Sequence, residues 1–347
     1  MNHTLLKIRK QDISIMRIIA TIAVIFLHTC NTISNNSDKY VLSDNQRVYF
    51  SLGVYLMNWS VPVFLMITGA LLLNKEKVIS YKDCIAKYTK RIVFALFIFG
   101  IPFSMIESIF NKKQINIKIF IKAISDVCTG NSWSHLWYLY SLIGIYLVIP
   151  LLKTFVDKVE RKDVRVILVV LFLFNFILPV FKSLFSVDIA FEIPIQSYTV
   201  FYVLLGEYLY GEKQILVQYK KMCLGILIVL CVFVGLINKY YFLYSGILLG
   251  YNSPLIAVIA ALIFLLLKGC SIKNINHLWK LDRLCFGVYL IHPVFINFTY
   301  KFTKITPLSV GKLYPFAIVL FWIFFVICSF ITSWFMYNIK PLKKYVL

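Results

Sequence analysis

Two ionisable groups on one apolar segment define the chemistry to look for. In "MRIIATIAVIFLHTC", residues 16–30, Arg17 stands near one end and His28 near the other. Eleven residues at about 100° each make three helical turns and about 20° more, with a rise of about 16 Å, so both side chains share one face. Ala20, Thr21 and Val24 lie between them on that face, small enough for a neighbour to approach or a groove to stay open. A guanidinium there either holds an anion or snorkels to the inner headgroups. His28 is less free to reach water: fifteen residues beyond Ile13 the helix has climbed only about 22 Å of a core about 30 Å thick. A neutral imidazole at that depth is suited to take a proton from a hydroxyl.

Two more histidines stand in apolar text. His135 precedes Trp137 and Tyr138 in "SWSHLWYLYSLIGIYLVIPLL", and His292 precedes Pro293 in "FGVYLIHPVF". An aromatic belt at the membrane surface explains Trp137 and Tyr138 but does not call for His135. Glu207 lies near the inner boundary of "FYVLLGEYLYG", and "NWSVPVFLMITGALLL" offers Thr68 and Gly69 with Pro62 expected to break the helix. Ionisable groups at the centre of a membrane helix cost about 2.5–3.5 kcal/mol each, so each needs a partner or a role.

The elements that carry these groups follow from composition. The chain has 347 residues, 60% hydrophobic and 17% aromatic, with a mean hydropathy of +0.81, far from an ordinary soluble domain. The reading is an all-α, polytopic membrane protein, residues 1–347 forming one domain with ten spans: 13–31, 48–73, 91–110, 135–156, 164–181, 195–211, 221–238, 252–268, 284–300 and 313–338. Lys and Arg near short loops mark the cytoplasmic side. Alternate ends collect 24 of the 36 basic residues, from Lys7, Arg9 and Lys10 through Lys213 and Lys273 to Lys343 and Lys344, which places both termini in the cytoplasm. The first span is too long, and too broken by Arg17, for a cleaved signal peptide, and is expected to remain. One outer loop, with Lys112, Lys113, Lys118 and Lys122 among Ile and Phe, is expected to hold an amphipathic helix in the headgroup plane.

The net charge of +21 is dispersed over inner loops, without a nucleic-acid motif, which argues against nucleic acid as a partner. The eight cysteines form no C-x-x-C pair and the five histidines have no metal spacing, so no metal centre is expected.

In the order of these motifs the sequence resembles the acyltransferase-3 family of integral-membrane acyltransferases, in the branch that modifies bacterial surface polysaccharides. Arg17 to His28 matches its Arg, ten residues, His signature, and "RIIATIAVIFLH" is similar to the family's text there. "VPVFLMITGALLL", "HLWYLYSLIGIYLVIPLL" and "GVYLIHPVF" resemble later motifs. Two positions depart. The acidic residue often found three before the arginine is Ser14, with Asp12 the nearest substitute, and an Arg-x-x-Arg pair at the third helix is replaced by "KYTKRIV".

The resemblance implies acyl transfer, most often acetyl from cytoplasmic acetyl-CoA, to a hydroxyl of a surface or lipid-linked glycan at the bacterial cytoplasmic membrane. No permanently bound cofactor is implied; acetyl-CoA is a substrate. Lys87, Lys90 and Arg91 then hold the CoA phosphates. Arg17 positions the donor or the developing oxyanion, and His28 serves as general base or transient acyl carrier. His135, Trp137 and His292 are candidates for acceptor binding. Some relatives carry a fused extracytoplasmic esterase-like domain; this chain is expected to act alone or with a separate partner. The alternative class is a transporter or flippase of an envelope glycan, which also needs many spans and charges facing a cavity.

Overall fold

A computed structural model describes residues 3–112, 116–211, 219–272 and 275–347. Lys113, Lys213 and Lys273 lie outside the described residues, as do the side chains of Lys7, Arg9, Lys10 and Lys112. Among the described residues the chain is all helical, without a strand. We number the principal helices α1 (His3–Ser34), α2 (Asp44–Met57), α3 (Ser60–Leu72), α4 (Lys90–Lys112), α5 (Ile117–Thr129), α6 (Trp137–Lys158), α7 (Arg161–Phe172), α8 (Leu178–Phe185), α9 (Tyr198–Gly211), α10 (Lys220–Tyr240), α11 (Pro254–Leu267), α12 (Ile275–Asn297) and α13 (Tyr314–Asn338).

Among the described residues, eight helical stretches are long and apolar enough to cross a membrane: Gln11–Ser34, Asp44–Leu72, Tyr81–Phe110, Ser134–Lys158, Arg161–Phe185, Lys220–Tyr240, Ile275–Phe302 and Pro307–Asn338. The helices α9 and α11 have 14 residues each.

Local chemistry sets several of these boundaries. Ser43 and Gln46 form a capping box that opens α2. Ser253 caps α11, with Pro254 in its first turn, where a missing N–H costs no helical bond. The break in the second stretch falls at Asn58 and Trp59, where a missing N–H at Pro62 withholds the helical bond to the Asn58 carbonyl, and Pro62 itself sits in the first turn of α3.

Most of Gln11–Ser34 in α1 is buried, and α1 packs against α2, α3, α11, α12 and α13, while α10 is largely exposed along its length. Two threonine hydroxyls of α1 are satisfied within the helix: Thr21 donates to the Arg17 carbonyl at 2.8 Å and Thr32 to that of His28 at 2.9 Å. The loop with four lysines contains α5, whose Ile119, Ala123 and Val127 repeat every fourth residue and are buried, while Ile121 is exposed. Gly130, at φ +76°, ends α5 in the left-handed conformation and turns the chain back toward α4. There Ser132 donates to the Gly100 carbonyl at 2.9 Å, and the 3-10 turn Ser134–Leu136 presents His135.

The closest helix pairing is α3 on α9. A Cβ on Gly69 would run into the backbone of Val203, and one on Gly206 into the backbone of Met66. Small residues let two helix backbones meet where lipid supplies no hydrophobic drive between them. Gly144, on α6, has open space where its Cβ would point. Gly69→Ala is therefore expected to destabilise by about 1–3 kcal/mol through overpacking, and Gly144→Ala to be neutral. Thermal unfolding of the detergent-purified variants checks this; equal melting temperatures would refute the close approach.

Candidate active site

The first helix delivers its two groups to different depths. Arg17 Nη1 donates to Asp282 Oδ1 of α12 at 2.5 Å, and Ser14 Oγ, one turn earlier, donates to Asp282 Oδ2 at 2.9 Å. The carboxylate that the resemblance would put at position 14 thus comes from another helix, and Ser14 binds it. Asp12 faces elsewhere: its oxygens accept from the Tyr210 hydroxyl at 3.0 Å and the Gly269 N–H at 2.9 Å.

At the other end of that face, His28 meets both other membrane histidines. Ring centroids are 5.1 Å apart for His28 and His292, 6.4 Å for His28 and His135, and 5.8 Å for His135 and His292. His292 lies 3.1 Å, through Nδ1, from the carbonyl of Val288 one turn earlier, which makes Nδ1 the protonated nitrogen and leaves Nε2 as an acceptor. His135 and His292 are buried, and the Nε2 atom of each is without a hydrogen-bond partner among the described residues. Also among the described residues, no three His, Cys, Asp or Glu are grouped to hold a metal ion.

The Arg17 and His28 levels of α1 open into separate cavities, called inner and outer after the sidedness expected from the basic residues. The inner one, 470 Å³, is lined by Arg17, Thr68, Tyr88, Arg91, Tyr138, Asp282, Arg283, Cys285 and Tyr289. Three guanidiniums and the Asp282 carboxylate line it, and Arg91 Nη2 donates to the oxygen of Leu347, which lines it as well. The outer one, 420 Å³, is lined by His28, His135, Trp133, five asparagines at 31, 35, 36, 131 and 297, and serines from α4 and the loop after α5. Its charges are paired: Lys301 with Glu107 at 3.2 Å and Lys122 with Asp126 at 2.7 Å. Burial works against the charge on Asp126, but hydrogen bonds from Lys122 and Ser104 and the Lys122 charge outweigh it and hold the carboxyl below its ordinary value. Trp133 stacks on Phe103 with centroids 4.4 Å apart.

The basic cluster singled out from the sequence divides. Arg91 lines the inner cavity, its guanidinium 5.4 Å from the Phe286 centroid and its Nε donating to the Val346 carbonyl at 2.6 Å. Lys87 and Lys90 are exposed and lie over the rings of Tyr88 and Phe94, at 5.6 and 5.7 Å. A π-turn over Cys84–Thr89 sends Tyr88 into the cavity. Trp137 packs against Tyr251 at 5.6 Å, and the indole that lines the outer cavity is Trp133. Glu207 is buried and accepts from Arg161 at 2.8 Å, beside a third, smaller cavity.

Sequence alone does not single out Asp282, Tyr289 or Trp133. A ninth span drawn at 284–300 leaves Asp282 outside it, although seven residues, two turns, put Asp282 and Tyr289 on one face of α12.

Comparison with curated proteins and with solved structures gives no match. A family model described as an acyltransferase domain matches residues 10–338, from the arginine-bearing helix to the end of α13, and so takes in both cavities. The chain belongs to the acyltransferase-3 family.

Proposed function

We propose that this acyltransferase moves an acetyl group from cytoplasmic acetyl-CoA to a hydroxyl of a surface or lipid-linked glycan, in a bacterial cytoplasmic membrane that it crosses ten times. The two 14-residue helices, α9 and α11, complete the ten spans, and both termini lie on the cytoplasmic side, where the lysines gather. One observation carries this reading: Arg17 and His28, on one face of α1, line two different cavities.

The charge of each cavity suits its substrate. Arg17, Arg91 and Arg283 against Asp282 leave the inner cavity cationic, fit for the phosphates of CoA. In the outer cavity the ion pairs cancel, and amides, hydroxyls and an indole remain, fit for an uncharged sugar. His28 accepts the proton of the sugar hydroxyl as its oxygen attacks the thioester carbonyl. A C–O bond forms, the C–S bond breaks, and the proton passes to the departing sulfur, giving the ester and free CoA. Arg17, held by Asp282, stabilises charge on the donor side.

The test uses membranes from cells that express the full chain and carry their own acceptor, with label from ¹⁴C-acetyl-CoA counted in the glycan fraction. His28→Ala is expected to lower the rate by about 10²–10⁴-fold with an unchanged melting temperature; full transfer by a folded His28→Ala would sink the assignment. Asp282→Ala frees Arg17 from its set position and is expected to lower transfer about 10²-fold. Arg91→Ala is expected to raise KM for acetyl-CoA more than Lys87→Ala or Lys90→Ala, because Arg91 alone of the three lines the cavity. Equal KM changes in the three variants would show the phosphates bound at the surface instead.

A further inference from the structure

Along α12 the cavities change over within one turn. Asp282, Cys285, Phe286 and Tyr289 line the inner cavity, and Pro293, Ile296 and Asn297 line the outer one. The rise from 289 to 293 is about 6 Å. The opposing side gives the same level, with Tyr138 on the inner cavity and His135 on the outer. The partition is a single layer of rings.

Tyr289 holds that layer together. Its centroid is 5.8 Å from Tyr138, 5.8 Å from His135 and 6.2 Å from His292. Its hydroxyl donates to the His135 carbonyl, which pins the ring against the 3-10 turn. Tyr138 extends the layer sideways, against Phe64 and Trp137, at 6.3 and 6.1 Å.

An acyl-CoA that enters past the arginines leads with its acyl tail, and its carbonyl has to come within reach of a hydroxyl activated by His28. Every methylene beyond acetyl must then lie where the Tyr289 ring lies before the carbonyl reaches that depth. We infer that Tyr289 sets the length of the acyl group this enzyme transfers, holding it to acetyl; the inference rests on acyl-CoA binding in the inner cavity and the acceptor in the outer one. A site that excludes one methylene discriminates by about 10- to 200-fold.

The experiment gives the same membranes ¹⁴C-acetyl-CoA or ¹⁴C-butanoyl-CoA and compares label in the glycan fraction. Wild type is expected to favour acetyl by about 10-fold or more. Tyr289→Ala and Tyr289→Leu are expected to narrow that ratio at least about 10-fold, and Tyr289→Phe, which keeps the ring, to preserve it. An unchanged ratio in the Ala and Leu variants overturns the inference, as does a Phe variant relaxed as far as Ala. Should both small variants lack transfer, displacement of bound ¹⁴C-acetyl-CoA from the purified variants by butanoyl-CoA decides. Butanoyl-CoA that competes with the variants no better than with wild type overturns the inference, and better competition supports it. A wild type that takes label from neither thioester overturns the donor reading and the inference with it, whereas a wild type that takes acetyl with an unmoved ratio in the variants overturns the inference alone.

Discussion

The Arg17 to Asp282 ion pair fixes the height of everything above it. From Arg17 to His28 is eleven residues along α1, and from Asp282 to His292 is ten along α12, rises of about 16 and 15 Å. Two helices joined at one end by a 2.5 Å contact therefore bring their histidines level, and the rings stand 5.1 Å apart. Ser14 adds a second donor to the same carboxylate, so the pair is anchored on α1 at two positions one turn apart. An arginine in a membrane helix costs about 2.5–3.5 kcal/mol unpartnered, and charge-assisted hydrogen bonds contribute about 1.5–3 kcal/mol each. The two are of one size, so here a partner offsets the cost of the charge and registers the helices as well.

Periodicity made part of this legible. The shared face of Arg17 and His28 follows from eleven residues on a regular helix, and the three histidines stand out by type in apolar text. What brings them together does not. His135 reaches the cluster through a loop that leaves α5 at Gly130, is tied to Gly100 by Ser132, and ends in a 3-10 turn. The path of that loop, which no periodicity encodes, decides which indole faces the outer cavity, and it is Trp133 rather than Trp137. Asp282 was hidden for another reason. "KLDRLC" is polar text at a span edge, where hydropathy ends the span, and only the partner on α1 shows that the helix continues through it.

Position relative to the cavities also separates charges that sequence leaves equivalent. Lys87, Lys90 and Arg91 form one basic cluster in the chain, yet the π-turn before α4 adds a residue to its turn and rotates the side chains of the helix it leads into. Tyr88 and Arg91 point into the inner cavity, and the two lysines lie over aromatic rings outside it. Glu207, which sequence alone allows to be solvated, is buried and needs Arg161, a residue of the neighbouring helix α7.

Under the proposed function, joining a donor and an acceptor from opposite sides of a membrane sets up a conflict between access and leakage. An open pore would connect both cavities to water on both sides, and a thick wall would keep the reacting atoms apart. One layer of rings meets both demands, because about 6 Å of α12 separates the last inner residue from the first outer one. The layer also carries a cost. The Nε2 atoms of His135 and His292 are buried without partners among the described residues, and an unsatisfied buried polar atom costs about 1–3 kcal/mol. Apolar residues in the same places would seal the partition without that cost. Retaining imidazoles there makes sense where a hydroxyl or a moving proton engages their free nitrogens during the reaction, as the proposed role of His28 as general base would have it.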